Sequence, residues 1–366
     1  MYETDPGYMP PPDHRRKVTE PLVKMGVNQM LRGIVIFCAA AILAHLLASR
    51  LVSIGLGVLF DVMRSVKGAD YDTFAATFNS SAVQYVINTF YTVFVVGGPF
   101  VLVRLCFRAQ RHTPIPMGRP KAGRRWALLV VIGLGMCMLG NLLSSYLDMF
   151  MNAITGTEIF DASLESLPES PMDLVMFVVS TAIAPALIEE LVFRGILMQP
   201  LRAISDRFAL VTTAILFGLI HHNPAQIPFA IIAGLVIGYA TIVTESLWTG
   251  VCIHLLNNLY AVVVTTVYDR FGVTAVVNLV TDVVFYGMIL AGIVLTILYF
   301  SKEKNRAVFR ETNNFRFPWY PAGTIPFGVR VSTGGFIGRV FSHPLMLVAV
   351  LWMFAETVET AIQSMG

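Results

Sequence analysis

The sequence predicts an all-α polytopic membrane protein with eight transmembrane helices. Hydrophobic residues make up 55% of the 366 positions and charged residues only 13%, whereas soluble domains carry about 25% charged residues. The mean hydropathy is +0.68, and clusters of Lys and Arg lie in loops beside long apolar runs. The net charge of +3 is too small to indicate a nucleic-acid partner. The expected partner is therefore the lipid bilayer.

Eight apolar runs are long enough, or nearly so, to cross a bilayer as helices, which takes about 20 residues. They are predicted at residues 33–51, 83–107, 126–151, 172–201, 208–222, 227–243, 247–267 and 276–300.

The loops between these runs predict an orientation. Basic residues gather in the loop at 104–125 and after the last run, at 302–310, while the loop at 158–173 is acidic and holds no Lys or Arg. By the positive-inside rule the basic loops are cytoplasmic. We therefore expect a multi-pass protein of the cell membrane whose N- and C-termini both lie in the cytoplasm.

These elements divide the chain into five segments. Residues 1–32 form a polar tail, 33–170 the first three helices, 171–267 a core of helices four to seven, 268–300 the eighth helix, and 301–366 a C-terminal extension. The apolar run at 345–354 is short for a span. We expect a helix lying at the interface or against the bundle, with a ninth span as the alternative.

The chemically informative stretch is in the fourth run, where Glu189, Glu190 and Arg194 interrupt apolar sequence. Charged side chains at bilayer depth are costly and usually functional. Glu190 and Arg194 are four residues apart, so they share a helix face and can pair. Glu189 is rotated by about 100° from Glu190 and has no local cation. One carboxylate is predicted to be structural and the other to be free for chemistry.

Two later runs carry polar groups at the same spacing. Phe217 and His221 are four residues apart, as are His254 and Asn258. Each residue alone has a structural interpretation, since a histidine can satisfy a backbone carbonyl and an asparagine can link two helices. Together with Glu189 they predict helices that converge on one site inside the bundle.

This set can hydrolyse an amide bond in two ways. Glu189, His221 and His254 can bind a divalent metal such as zinc, whose bound water becomes the nucleophile. Alternatively, Glu189 acts directly as general base on a water, helped by a histidine. In both cases the Asn258 amide is a candidate oxyanion donor.

The three motifs resemble those of a known family. Glu-Glu-x-x-x-Arg (189–194), Phe-x-x-x-His (217–221) and His-x-x-x-Asn (254–258) are similar, in the same order, to the motifs of the CPBP intramembrane proteases. This family includes the CAAX prenyl protease, Abi and bacteriocin-processing types. The resemblance implies that residues 171–267 are a CAAX-protease-like catalytic core.

The resemblance also implies a role for each motif residue. Glu189 would be the base, His221 would help to activate the water, and His254 with Asn258 would form the oxyanion pocket. Glu190, Arg194 and Phe217 would be supporting residues. Whether the family's members use a metal is not settled by these motifs.

The leading hypothesis is therefore an intramembrane endopeptidase acting on a membrane-embedded or lipid-modified peptide. A prenylated CAAX tail, a leader peptide and a membrane-protein remnant all suit such a site. One alternative is a proton-coupled transporter that uses Glu189 and His221 as a relay, although the sequence shows no inverted repeat. The other is a non-catalytic scaffold or immunity-type protein. The sequence does not assign an oligomeric state.

Three backbone features are also predicted. Gly97-Gly98-Pro99 favours a kink in the second helix. Gly234 and Gly238 favour close helix packing. Residues 222–224, His-Asn-Pro, are predicted to turn while still buried, because His221 lies about 21 Å along its helix from Arg207 and must meet Glu189 and His254.

Overall fold

The computed structural model describes residues 20–66, 70–121, 123, 125–155, 168–306 and 333–365, and every regular element in these ranges is a helix. We label the longer helices α1 (Glu20–Ser65), α2 (Tyr71–Phe78), α3 (Ser81–Cys106), α4 (Arg125–Thr155), α5 (Pro171–Arg202), α6 (Asp206–Leu219), α7 (Gln226–Thr244), α8 (Leu247–Phe271), α9 (Ala275–Phe300), α10 (Thr333–Phe341) and α11 (Pro344–Met365). A single helical turn, Arg108–Arg111, follows α3, and a short 3₁₀ helix, Glu303–Arg306, follows α9.

Eight helices of the described chain are long and apolar enough to cross a membrane, judged by length and composition. The protein is therefore an all-α, multi-pass membrane protein, as predicted. These eight differ from the predicted eight in one place: they include α11 and do not include α6. The predicted span at 208–222 is too short to cross a bilayer because α6 ends at Leu219. Its 14 residues extend only about 21 Å. The five segment boundaries remain predictions.

Helix α11 is longer than its apolar run suggested, and it packs against α1. The two glutamates that follow the apolar run do not end the helix, because each has a partner. Glu359 accepts a hydrogen bond of 2.9 Å from Arg50 of α1, and Glu356 accepts one of 2.9 Å from Trp352. The candidate span in this helix is Pro344–Gln363. Helix α11 thus packs against the bundle, and by length and composition it could cross a membrane. Whether it lies at the interface or spans stays a prediction.

Two prolines interrupt the regular hydrogen bonding of α3 and α5. A π-helical stretch, Tyr91–Gly97, precedes Pro99, which confirms an irregularity at Gly97-Gly98-Pro99. A second stretch, Val179–Ile183, precedes Pro185. Because proline has no N–H, the carbonyl four residues earlier loses its α-helical partner. In both helices another helix supplies a donor: His45 Nδ1 lies 2.8 Å from the Val95 carbonyl oxygen, and Asn258 Nδ2 lies 3.0 Å from that of Thr181.

Helices α6 and α7 form a tight antiparallel hairpin whose turn is only partly exposed. His222 has φ 51°, in the left-handed region that reverses the chain, and its Nδ1 lies 3.3 Å from the Met353 carbonyl oxygen of α11. The chain therefore turns at residues 222–224, as predicted, before α6 is long enough to cross the bilayer. A Cβ at Gly234 would lie 2.9 Å from Ala214 Cα, so the Gly234 and Gly238 face packs closely on α6 as predicted.

Candidate active site

The two adjacent glutamates of α5 have different environments. Glu190 is fully buried, and its Oε1 accepts hydrogen bonds from Arg194 Nη1 at 2.9 Å and from His254 Nδ1 at 3.0 Å. Glu189 is partly exposed and lines a cavity. It makes no hydrogen bond or ion pair with any residue that the structure describes. The helical spacing thus predicts the Glu190–Arg194 pair and the separation of Glu189 from it.

Arg194 is almost completely buried, at 1% exposure, and is held from several sides. Besides its bond to Glu190, its guanidinium carbon lies 4.6 Å from the centre of the Phe217 ring. Its Nη2 lies 3.4 Å from the Gly234 carbonyl oxygen. A cation over an aromatic face is favourable, more so when it is removed from water. Phe217 therefore supports the buried arginine, and its ring also stands edge-on to those of His221 and His254.

The second oxygen of Glu190, Oε2, is buried and has no hydrogen-bond partner among the described residues. The Thr241 hydroxyl of α7 is also buried without a hydrogen-bond partner among the described residues. Both atoms face Gly250 of α8, since a Cβ there would lie 2.7 Å from Glu190 Oε2 and 2.8 Å from Thr241 Oγ1. Only a glycine lets α8 approach the buried carboxylate this closely.

A cavity of about 460 Å³ collects the sequence-predicted residues inside the bundle. Glu189, His221, His254, Asn258 and Phe217 all line it. The remaining walls come from α3, α4, α7 and further residues of α5 and α8. Their polar side chains are those of Asn88, Tyr91, Thr92, Asn141, Ser180, Thr181, Gln226 and Asn257. Glu190 and Arg194 are not part of the lining; they lie behind it.

The hydrogen bonds of the two histidines fix which ring nitrogen carries a proton. His221 Nδ1 lies 2.6 Å from the Phe217 carbonyl oxygen, and His254 Nδ1 lies 3.0 Å from the Glu190 carboxylate. Both partners only accept, so each Nδ1 is the donor. In the neutral ring Nε2 is then the acceptor. Neither Nε2 has a hydrogen-bond partner among the described residues, although both rings line the cavity.

Asn258 belongs to a chain of amides that the sequence analysis missed. Asn141 of α4 donates to Asn257 at 3.3 Å, Asn257 donates to Asn258 at 3.1 Å, and Asn258 donates to the Thr181 carbonyl at 3.0 Å. Each amide nitrogen has two hydrogens, so one on Asn258 remains for another acceptor. The sequence did carry a signal, because Asn141 interrupts an apolar run and Asn257 lies beside a motif residue.

Among the described residues no three His, Cys, Asp or Glu side chains are grouped so that they can hold a metal ion. Glu189, His221 and His254 line one cavity but do not converge as ligands. A zinc requirement therefore stays a prediction without support from this geometry.

A comparison with protein families matches residues 171–260 to the type II CAAX prenyl endopeptidase Rce1-like family. The match begins with α5, ends in α8 and includes all seven motif residues. No curated protein and no solved structure matches the chain. Residues 171–260 are thus similar to an intramembrane CAAX protease domain, in agreement with the family resemblance of the motifs they contain.

Proposed function

We propose that this protein is an intramembrane endopeptidase that hydrolyses a membrane-embedded or lipid-modified peptide, with Glu189 as general base. One observation carries the proposal: Glu189, His221, His254 and Asn258 line a single cavity, and Glu189 alone of the two adjacent carboxylates is free of protein partners. A base that is already hydrogen-bonded to Arg194 and His254, as Glu190 is, has little capacity left to take a proton from water.

In the first step Glu189 takes a proton from a water molecule in the cavity. The water oxygen forms a bond to the carbonyl carbon of the peptide, and the carbonyl oxygen becomes an oxyanion. His221 orients the water, since its Nε2 accepts a hydrogen bond when Nδ1 donates to the Phe217 carbonyl. No step requires a metal.

Two groups of α8 are suited to the oxyanion. Asn258 has one amide hydrogen left after bonding Thr181. His254, held at Nδ1 by the Glu190 carboxylate, can donate from Nε2 in the form that carries a hydrogen on both ring nitrogens. The intermediate then collapses, the C–N bond breaks, and protonated Glu189 returns its proton to the leaving amine.

The substrate class follows from the cavity's place within a bundle of membrane-crossing helices and from the family. A prenylated CAAX tail is the substrate type we propose to test first, followed by a leader peptide and a membrane-protein remnant. We also keep the orientation with both termini in the cytoplasm as a proposal, based on the positive-inside rule.

The test compares cells that express the wild type, Glu189→Gln or Asp269→Asn at equal membrane levels. Asp269 is a matched control, because it lies near the end of α8 and does not line the cavity. Mass spectrometry of peptide termini should find products with the wild type and Asp269→Asn but not with Glu189→Gln. Identical termini in all three would reject proteolysis by Glu189. If all three also kept the biological function, the scaffold hypothesis would be favoured.

A further inference from the structure

A second cavity system lies in the same bundle, outside the candidate active site. An apolar groove of about 210 Å³ is formed between α4, α6, α7 and α9. It uses other faces of α4 and α7 than the catalytic cavity does: Met136 and Val236 line the groove, whereas Cys137 and Ile237 line the catalytic cavity. Apart from Thr296 and the two tyrosines at one end, its lining is aliphatic or aromatic.

The groove ends at two tyrosines that connect it to a polar region. Tyr239 and Tyr299 line both the groove and an adjoining cavity of about 380 Å³. The Tyr239 hydroxyl donates to the Asn305 carbonyl oxygen at 2.7 Å, and the Tyr299 hydroxyl lies 3.4 Å from it. Tyrosines with an apolar ring and a bonded hydroxyl are typical of the membrane–water boundary.

Beyond the tyrosines, the adjoining cavity and a further cavity of about 280 Å³ that shares Arg125, Tyr299, Lys304 and Asn305 with it have basic walls. Arg125 at the start of α4 and Lys302 and Lys304 after α9 line this region, together with Lys121. Lys121 is paired with Glu245 at 2.5 Å. The other three form no ion pair with the described part of the chain, and neither cavity lining includes an acidic residue of that part. Three cations without an ion pair in the described part of the chain therefore line the mouth of an apolar groove.

We propose that this groove and its basic mouth bind an anionic phospholipid, with an acyl chain along the groove and the phosphate at Arg125, Lys302 and Lys304. The chemistry matches at both ends, since the groove is lined mainly by apolar side chains and the charged side chains that line the mouth are all basic. Basic pockets between transmembrane helices are suited to anionic headgroups. The site does not depend on the proposed proteolysis.

The test uses the full chain, purified in neutral detergent and mixed with phosphatidylglycerol or phosphatidylcholine. Native mass spectrometry counts the lipid molecules retained. The triple variant Arg125→Gln, Lys302→Gln, Lys304→Gln removes the basic mouth. A matched triple, Arg32→Gln, Arg108→Gln, Arg270→Gln, removes three exposed cations that line none of these cavities.

We expect the wild type and the matched triple to retain one phosphatidylglycerol in strong preference to phosphatidylcholine. Each Lys or Arg near anionic lipid contributes about fivefold in affinity. In the variant that lacks Arg125, Lys302 and Lys304, the preference for phosphatidylglycerol over phosphatidylcholine should therefore fall by more than tenfold. No preference in the wild type, or an equal loss in both triples, would overturn the proposal.

Two further arms separate a lipid from a free anion. Inorganic phosphate should not displace the retained lipid, because the acyl chain contributes to binding. Val236→Phe fills the groove and should reduce lipid retention while the cations are intact. Displacement by phosphate, or unchanged retention in a folded Val236→Phe protein, would show an anion site without a lipid chain. The elution profile on size exclusion checks that each variant is folded.

Discussion

The different environments of Glu189 and Glu190 lead to opposite effects of the same substitution. In Glu190→Gln the charge is lost but the shape is kept. Arg194 then stays buried at 1% exposure beside a neutral amide, with the Phe217 ring at 4.6 Å and the Gly234 carbonyl at 3.4 Å but without a carboxylate. Leaving one member of a buried ion pair without its partner costs about 3–5 kcal/mol. Glu189→Gln removes no hydrogen bond or ion pair, so we expect a stability close to that of the wild type.

The two variants should be compared by unfolding in mixed micelles and by peptide cleavage. Glu190→Gln is expected to unfold at a much lower denaturant concentration. A loss of about 3 kcal/mol in the free energy of unfolding makes the unfolded fraction more than a hundredfold larger. Glu189→Gln should unfold like the wild type and cleave nothing. The double variant Glu190→Gln, Arg194→Met should recover much of the lost stability, since removing both charges is often neutral.

Equal stability of Glu190→Gln and Glu189→Gln would refute this reasoning. So would a double variant less stable than Glu190→Gln, because the cost would then lie in lost packing and not in an unpaired charge. A cleavage-competent Glu189→Gln would leave the structural argument intact and reject the catalytic one. The two parts of the hypothesis therefore fail separately.

Three further predictions concern helix contact, pH and metal. Gly250→Ala should destabilise the protein by about 1–3 kcal/mol, since its Cβ would lie 2.7 Å from Glu190 Oε2. The control Gly287→Ala should not destabilise it, because Gly287 has open space around it. Equal unfolding curves for the two variants would contradict the predicted clash. The Lys121 ammonium at 2.5 Å holds the pKa of Glu245 below its usual value of 4.5. The pair therefore stabilises the fold above that pH by at most about 1 kcal/mol, being exposed, and the gain is lost as the pH falls through the folded pKa. The melting temperature of the wild type should accordingly be higher than that of Glu245→Gln at pH 7, and the two should converge as the pH falls well below 4.5. A difference in melting temperature that stays constant with pH would contradict the ion pair. Finally, cleavage should survive dialysis against a chelator, because no three-ligand group is present among the described residues; activity lost and then restored by zinc would support the metal hypothesis instead.

Sequence reasoning predicted the local part of the site and missed the part that depends on helix packing. The Glu190–Arg194 pair is set by a spacing of four residues within one helix, so the sequence is enough to predict it. The bond from His254 to Glu190 joins residues 64 positions apart. Neither the Glu-Glu-x-x-x-Arg motif nor the His-x-x-x-Asn motif indicates that His254 donates a hydrogen bond to Glu190. From the motifs alone, its partner could equally be a ligand. Only the close approach of α8 at Gly250 brings the two together.

The same limit explains the errors in helix length. The run at 208–222 was expected to be a span because its residues are apolar, yet a positive φ at His222 reverses the chain while it is still partly buried. The run at 345–354 is short for a span because Glu356 and Glu359 follow it. Arg50 of α1, more than 300 residues earlier in sequence, bonds Glu359 and lies 3.9 Å from Glu356. Composition predicts which segments prefer lipid, but partners from distant helices decide where each helix ends.

Proline positions connect the fold to the candidate chemistry. Pro99 and Pro185 each leave a carbonyl four residues earlier without its α-helical donor, and a side chain from another helix fills each gap. At Pro99 the donor is His45, which is buried at 4% exposure and does not line the candidate cavity. At Pro185 the donor is Asn258, which lines that cavity.

The gap at Thr181 therefore does more than repair a broken helix. Its carbonyl holds the Asn258 amide in place from one side, while Asn257 donates to the Asn258 oxygen from the other. An amide fixed by both its nitrogen and its oxygen cannot rotate, so its remaining N–H points in one direction before any substrate arrives. A donor oriented in advance costs no reorganisation when an oxyanion forms. The helix break in α5 thus positions a donor on α8, and α5 also carries Glu189, the proposed base, four residues after the proline.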